Sequence, residues 1–280
     1  MKIISANKIR DTVAELCRQA NFILRADVYA ALGQAYRKEK NRRAKEILSA
    51  IIRNADAARR EKLAICQDTG LPCVFVEVGQ DLKISGDLKQ AINKGIETGY
   101  RRDSLRNSII KDPLNRGKPG YRPAIIHIDL VAGNKIKLSL LPKGFGCENK
   151  TMLRMFNPTA KISEIEKFIA GVVKSAGPDA CPPYVVGVGI GGTADYACIL
   201  AKKALLRKVT SHKAHDTINT AKLERDLLQK INNLGIGPMG LGGKTTALAV
   251  NILTHPTHIA GLPVCVNISC HALRSATKTL

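Results

Sequence analysis

CPPYVVGVGIGGTADYACILAKKALLR (181–207) is the stretch that decides the fold class. YVVGVGIGG (184–192) is a continuous apolar run ending in glycines, so it reads as a buried strand entering a tight turn. ADYACILAKKALLR (194–207) reads as a helix, with its basic residues toward the C-terminal end that the helix dipole favours. A strand feeding a helix in this way is the building unit of α/β folds.

Working outward, TAKLERDLLQKINNLG (220–235) and TTALAVNILT (245–254) read as helices, and LPVCVNIS (262–269) as a strand. Upstream, SEIEKFIAGVVKSAG (163–177) is an amphipathic helix, with Ser163 as its expected cap and Glu166 as the capping-box partner. VFVEVG (74–79) reads as a strand, residues 86–99 as a helix and 110–122 as a loop. PAIIHIDLVAG (123–133) and KIKLSLLP (135–142), joined at Gly133-Asn134, predict a β-hairpin. Near the N-terminus three helical patterns follow one another: Ile9/Val13/Leu16/Cys17/Ala20, Val28/Ala31/Leu32/Ala35 after a capping Asp27, and Ala44/Ile47/Leu48/Ile51/Ile52/Ala55. The expectation is a mixed α/β chain, one domain over 1–280, with residues 1–60 a helical layer packed on a sheet-and-helix body.

At 280 residues and 45% hydrophobic, the chain can bury a sizeable core and is not a disordered tail. It has no tryptophan, so that core is built from Ile, Leu, Val and Ala. No apolar run approaches the ~18 residues of a membrane helix, and the N-terminus lacks a hydrophobic signal core. A cytoplasmic location is expected, where eight cysteines stay as thiols. The net charge of +21 fits a nucleic-acid partner, an anionic substrate or an acidic partner subunit, and also a merely solvated basic surface. The basic run RKEKNRRAK (37–45) has only Tyr36 beside it, whereas nucleic-acid surfaces interleave aromatics, so an exposed helix junction is the plainer reading.

Three cysteines stand apart from the rest. Cys66 opens CQDTG (66–70), Cys181 opens CPPYVVGVGIGGT (181–193) and Cys270 ends VNISC (266–270), all loop-like places. Cys17, Cys73, Cys198 and Cys265 lie in apolar helix or strand patterns, as inert buried cysteines do. Thiolates are the natural ligands of iron–sulfur clusters, and a four-iron cluster normally takes four. Three would hold it and leave one iron open to substrate. No CxxC pair or close Cys/His cluster suggests zinc instead.

The same segments carry a resemblance. ICQDTGLPCVFVEVG (65–79), SLRNSIIKDPLNR (104–116), PAIIHIDL (123–130), LPKGFGCENKT (141–151), CPPYVVGVGIGGTADYACILAKKALLR (181–207) and NLGIGPMGLGGKTTALAVNILTHPTHIAGLPVCVNISC (233–270) resemble the α subunit, or N-terminal half, of class I iron–sulfur hydratases, the fumarate hydratase and L-tartrate dehydratase family. The matches run through most of residues 60–274. The resemblance implies a [4Fe-4S] cluster on Cys66, Cys181 and Cys270. It implies substrate contacts from Gln67, Asp68, Arg106 and His258, with Lys143 a weaker anion contact. It implies fumarate as substrate, or tartrate, and a general base in a C-terminal half. The chain ends at Leu280, so a separate β subunit, in an α2β2 assembly, is expected to supply that base, and no nucleic acid or membrane partner is expected. Cys147 in KGFGCENK departs from the family pattern, which has serine there; it is expected to line the pocket, since a fourth thiolate would close the open iron.

Two glycine motifs point elsewhere. Gly187-x-Gly189-x-x-Gly192 fits the dinucleotide fingerprint, yet no acidic residue occurs in 196–215 and Asp216 comes late. GGKTT (242–246) resembles a phosphate loop, but Pro238 stands where its first glycine belongs. His127 alternates within a strand and His255 lies three residues before His258; neither is expected in the site.

Overall fold

A computed structural model of the chain describes residues 2–209 and 220–280. The chain divides into two compact units. The first comprises Met1–Arg25, Ala55–Phe145 and Arg274–Leu280, and the second Ala26–Asn54 and Gly146–Leu273. Both mix helices and strands, so the class is mixed α/β, as the sequence predicts.

The first unit centres on a four-stranded sheet of order β10-β5-β2-β4, built from β2 (Leu71–Gly79), β4 (Ile125–Val131), β5 (Ile136–Lys143) and β10 (Ala276–Thr279). A two-stranded parallel sheet of β1 (Lys2–Ser5) and β3 (Leu82–Ser85) accompanies it. Helices α1 (Ala6–Phe22) and α4 (Leu88–Arg102) supply Ile9, Val13, Leu16, Ile92 and Ile96 to a core that Val74, Val76, Leu138 and Leu140 complete. The two helices pack closely because α4 carries glycines at the contact. A Cβ on Gly95 would lie 2.5 Å from the Arg10 carbonyl oxygen, and one on Gly99 2.8 Å from that of Ala14.

The predicted hairpin does not form. β2 lies between the two segments, parallel to β4 and antiparallel to β5. The cause is hydrophobicity: β2 is buried along nearly its whole length and takes the centre, while β4 exposes Ile125, Ile128, Leu130 and Val131 at the edge. The Gly133 turn caps β2 instead, with Asp81 N–H donating to its carbonyl at 3.0 Å.

The second unit has a sheet of order β6-β9-β7-β8, from β6 (Met152–Phe156), β7 (Tyr184–Gly192), β8 (Ala247–Thr257) and β9 (Leu262–Ser269). β7 runs parallel to β8 and antiparallel to β9. Val185, Val186 and Val188 are fully buried in β7, each contributing roughly 1.5–3 kcal/mol of apolar burial. Helices α6 (Ile162–Ala176), α7 (Ala194–Ala204) and α8 (Thr220–Asn232) cover the sheet. Helix α2 (Ala26–Lys38) also belongs to this unit, and α3 (Arg42–Glu61) begins in it.

Three local expectations are corrected here. Residues 247–257 form strand β8, not a helix, because a strand paired in parallel with a buried neighbour is apolar on both faces and loses its period-two signature. Helix α6 starts at Ile162, two residues earlier than a Ser163 cap would allow. Lys161 is its N-cap, with its backbone N–H donating to Glu164 Oε2 at 2.8 Å, and Glu166 pairs with Lys230. Asp27 lies inside the first turn of α2, where its carboxylate accepts from Val209 N–H at 2.8 Å rather than capping the helix. The short strands β1, β3, β6 and β10 carry mostly exposed residues and gave no sequence signal.

Candidate functional site

In the first unit the segment 66–70 is a turn held from several sides. Asp68 Oδ1 accepts from Gly70 N–H at 3.0 Å, and Oδ2 accepts from Phe145 N–H at 2.8 Å, just past the end of β5. Buried Tyr100, on α4, donates its hydroxyl toward the Thr69 and Gly70 carbonyls at 2.9 and 3.2 Å. Burial pushes the Tyr100 phenol well above its ordinary range, so it stays a neutral donor. Gly70 has φ +77° and passes so close to β5 that a Cβ there would meet the Lys143 nitrogen at 2.8 Å. The turn therefore has little freedom, and Cys66 and Gln67 lead into it.

The expected substrate residues of this unit gather round that turn. Arg106 is exposed, and its backbone N–H donates to Thr69 Oγ1 at 3.0 Å. Lys143 ends β5 opposite Leu71 and is only 2% exposed, which suits it to holding the turn more than to meeting solvent. Sequence reasoning missed Arg274 and Asn21. Arg274 is 3% exposed and donates from Nη2 to the Asp68 carbonyl at 2.7 Å. Nothing in the composition distinguishes it among 44 basic residues; its place four residues after Cys270 was the one available signal.

In the second unit Cys181 and Cys270 lie at the same end of the sheet. Cys181 precedes β7 and Cys270 follows β9, and the register pairs Val185 with Ser269. The backbone closes the gap: His271 Nδ1 lies 3.0 Å from the Cys181 carbonyl, and His271 N–H donates to it at 3.4 Å. Cys181 has φ +58°, the left-handed conformation that a non-glycine residue rarely adopts without being held there. Cys147, in helix α5 (Phe145–Glu148), is 6% exposed and donates to the Ala180 carbonyl at 3.2 Å. It thus sits beside the Cys181 loop with its thiol turned into the core. Burial pushes the neighbouring Tyr184 phenol up, with Cys147 and Cys181 adding to the effect.

His258 is elsewhere. It follows the C-terminal end of β8, exposed, beyond the Gly192–Thr257 pair that marks the far end of β7. With strands rising about 3.3 Å per residue, His258 lies roughly 25 Å along the sheet from Cys181 and Cys270. His127 stacks on Phe75 with ring centroids 5.0 Å apart, and His255 packs edge-on to Tyr196 at 4.7 Å, structural roles for both.

The eight cysteines sort by position. Cys66, Cys181 and Cys270 lie outside every helix and strand and are partly exposed. Cys17, Cys73, Cys147, Cys198 and Cys265 lie within elements, and among the described residues no disulfide joins any of them. Burial pushes the Cys17 and Cys265 thiols up, the latter with help from its Cys198 hydrogen bond, which makes them poor ligands. Among the described residues, no group of three or more His, Cys, Asp or Glu side chains is gathered so as to hold a metal ion.

The glycine motifs are accounted for by packing. Gly187 and Gly189 lie inside β7, not in a turn, and a Cβ on either would fall 2.1 Å from an α7 carbonyl oxygen, that of Ala201 or Ala197. The dinucleotide reading lacks its phosphate turn, and Asp216 lies outside the described residues. In GGKTT the Lys244 N–H donates to Glu39 Oε2 at 2.7 Å, so a buried carboxylate stands where a phosphate would bind.

Residues 10–279 match the family described as Fumarate hydratase (Fumerase). A Methanocaldococcus jannaschii protein named "Putative L(+)-tartrate dehydratase subunit alpha" is 42% identical over 98% of both chains. Proteins named "L(+)-tartrate dehydratase subunit alpha" from Escherichia coli strains UTI89 and K12 are 29% and 28% identical, over 98% of this chain and 91% of theirs.

Proposed function

The chain belongs to the fumarate hydratase family, and from that premise we propose that it is the α subunit of a hydro-lyase acting on a four-carbon dicarboxylate. The observation that carries the reading is the sorting of the thiols. Three of the eight stand in loops, partly exposed, and two of those three flank the same end of one sheet. Such a donor set fits a [4Fe-4S] cluster: soft ligands on backbone held by hydrogen bonds, reduced, and reachable. Cys66, Cys181 and Cys270 would hold it, and when bound it supplies Lewis-acid chemistry to the departing or entering water. Cys147 is not a ligand in this reading, since its thiol is engaged in the core at Ala180.

The chain's own residues bind and orient. Gln67, adjacent to Cys66, donates to a substrate oxygen, and the Asp68 carboxylate accepts from the substrate hydroxyl or the water, itself oriented by Phe145 and Gly70 N–H groups. The exposed Arg106 guanidinium grips a carboxylate bidentately. Lys143 adds positive charge from behind the turn. His258 is placed in this proposal as a contribution from a second copy of the chain, since its own sheet carries it at the far end from Cys181 and Cys270. The α2β2 assembly of this proposal would bring that second copy. The relatives are named as α subunits, so a β subunit would supply the general base that moves the proton next to a carboxylate.

Fumarate hydration to malate is the first reading of the substrate, after the family's name. Dehydration of L-tartrate is the second, favoured by the names of the relatives. The test is the rate of each reaction by the chain reconstituted with its β subunit, and by a co-assembled mixture of His258→Ala and Cys270→Ser chains. We expect one of the two substrates to turn over at least tenfold faster. We expect each variant alone to be inactive and the mixture to recover about a quarter of wild-type activity, the share of sites with both residues intact. Turnover of neither substrate contradicts the assignment, and full activity of His258→Ala contradicts the role of His258.

A further inference from the structure

We infer that Arg274, braced on Asn21, is a positioning residue that clamps the Cys66 segment from both sides. The inference rests on the reading of Cys66 as a cluster ligand, and all the residues of the clamp lie in the first unit.

The geometry is a closed loop of contacts. Asn21, near the end of α1, is fully buried, and its side-chain amide is fixed by donating to the Cys17 carbonyl at 2.9 Å. Its own backbone carbonyl accepts from Ile65 N–H at 2.9 Å, one residue before Cys66. Its side-chain oxygen faces Arg274 Nη1 at 3.4 Å. Arg274 Nη2 then donates to the Asp68 carbonyl at 2.7 Å, two residues after Cys66. Both ends of the Ile65–Asp68 stretch are therefore tied to a single asparagine, one directly and one through the guanidinium.

Stability alone does not account for this arrangement. A guanidinium buried to 3% exposure carries a large desolvation cost, and folds that bury one usually give it a carboxylate. Among the described residues, Arg274 donates to a carbonyl and to an amide oxygen, and its buried Nε has no hydrogen-bond partner. A cation kept at that cost, on a turn that carries Cys66, Gln67 and Asp68, fits a functional demand for a fixed ligand geometry. The fork shape matters too, because a planar guanidinium presents its donors to two acceptors in a fixed geometry that a flexible ammonium does not. A Cβ on Gly144 would lie 3.2 Å from Asp68 Oδ2 and 3.7 Å from Arg274 Nη2, so there is no slack on that side.

The experiment is competitive alkylation of the metal-free full-length chain by iodoacetamide, read cysteine by cysteine by mass spectrometry, for wild type, Arg274→Gln and Arg274→Lys. No cluster and no turnover are needed, so a failure of the hydro-lyase reading and a failure of the clamp are told apart. We expect Cys66 in Arg274→Gln to react about tenfold faster, the factor a lost charged hydrogen bond carries. Cys181 and Cys270 should stay within twofold of wild type, and Arg274→Lys should restore part of the protection. An unchanged Cys66 rate in a folded variant overturns the clamp. So does an equal rise at all three cysteines, which marks general loosening. Should Arg274→Gln fail to fold, Asn21→Ala is the second variant, with the same expected selectivity for Cys66 and the same overturning results.

Discussion

At the residue scale the sequence was most legible where chemistry and conformation coincide. Cys66, Cys181 and Cys270 announced themselves because glycine, proline and small polar neighbours mark loops, and the structure leaves these three outside its elements. Arg274, Asn21 and Tyr100 were not legible, because their importance lies in whom they touch across long stretches of chain. Tyr100 is the simplest case. Its hydroxyl serves the Thr69 and Gly70 carbonyls from inside the core. Tyr100→Phe should cost about 1–2 kcal/mol by denaturant unfolding, the range for a buried hydrogen bond. Burial raises the folded-state pKa of this phenol, so its contribution is present at neutral pH and lost as pH climbs past about 10, where unfolded tyrosines ionise. The Phe variant should accordingly lose less stability than wild type between pH 9 and pH 11. Equal alkaline losses in the two proteins would contradict that account.

At the element scale, helices with an amphipathic stripe and strands ending in glycine were readable, and partners were not. The strand at 247–257 looked helical because pairing with β7 buries both its faces. The hairpin failed because Gly133-Asn134 marks a turn without saying which strand lies beside it, and β2 outcompetes β4 for the central place. The glycines of β7 illustrate the same limit. Their spacing imitates a nucleotide motif, yet their function is to let α7 lie against the strand. Gly189→Ala should therefore destabilise the protein by roughly 3 kcal/mol, at the upper end for overpacking a core. Gly171→Ala, on α6 with open space around its Cβ position, should be neutral or stabilise by up to about 1 kcal/mol. Thermal melts of the two variants decide it, and a Gly189→Ala protein as stable as wild type would refute the packing explanation.

At the scale of the whole molecule, the mixed α/β class followed from the sequence, whereas the division of the N-terminal helices between two units did not. Helix α1 packs with α4 in the first unit and α2 belongs to the second, although all three N-terminal helices carry the same kind of apolar stripe. Among the described residues no helix is long and apolar enough to cross a membrane. The net charge of +21 is compatible with the functional proposal, since a basic surface attracts dianionic substrates. The central claim is that three loop thiols, and not the fourth at position 147, hold a cluster. Iron and acid-labile sulfide should be measured on the anaerobically purified chain and on Cys66→Ser, Cys181→Ser, Cys270→Ser and Cys147→Ser. The account predicts about four irons per chain in wild type and in Cys147→Ser, and loss of the cluster in the other three. Absence of iron after reconstitution, or a cluster that depends on Cys147, would contradict it.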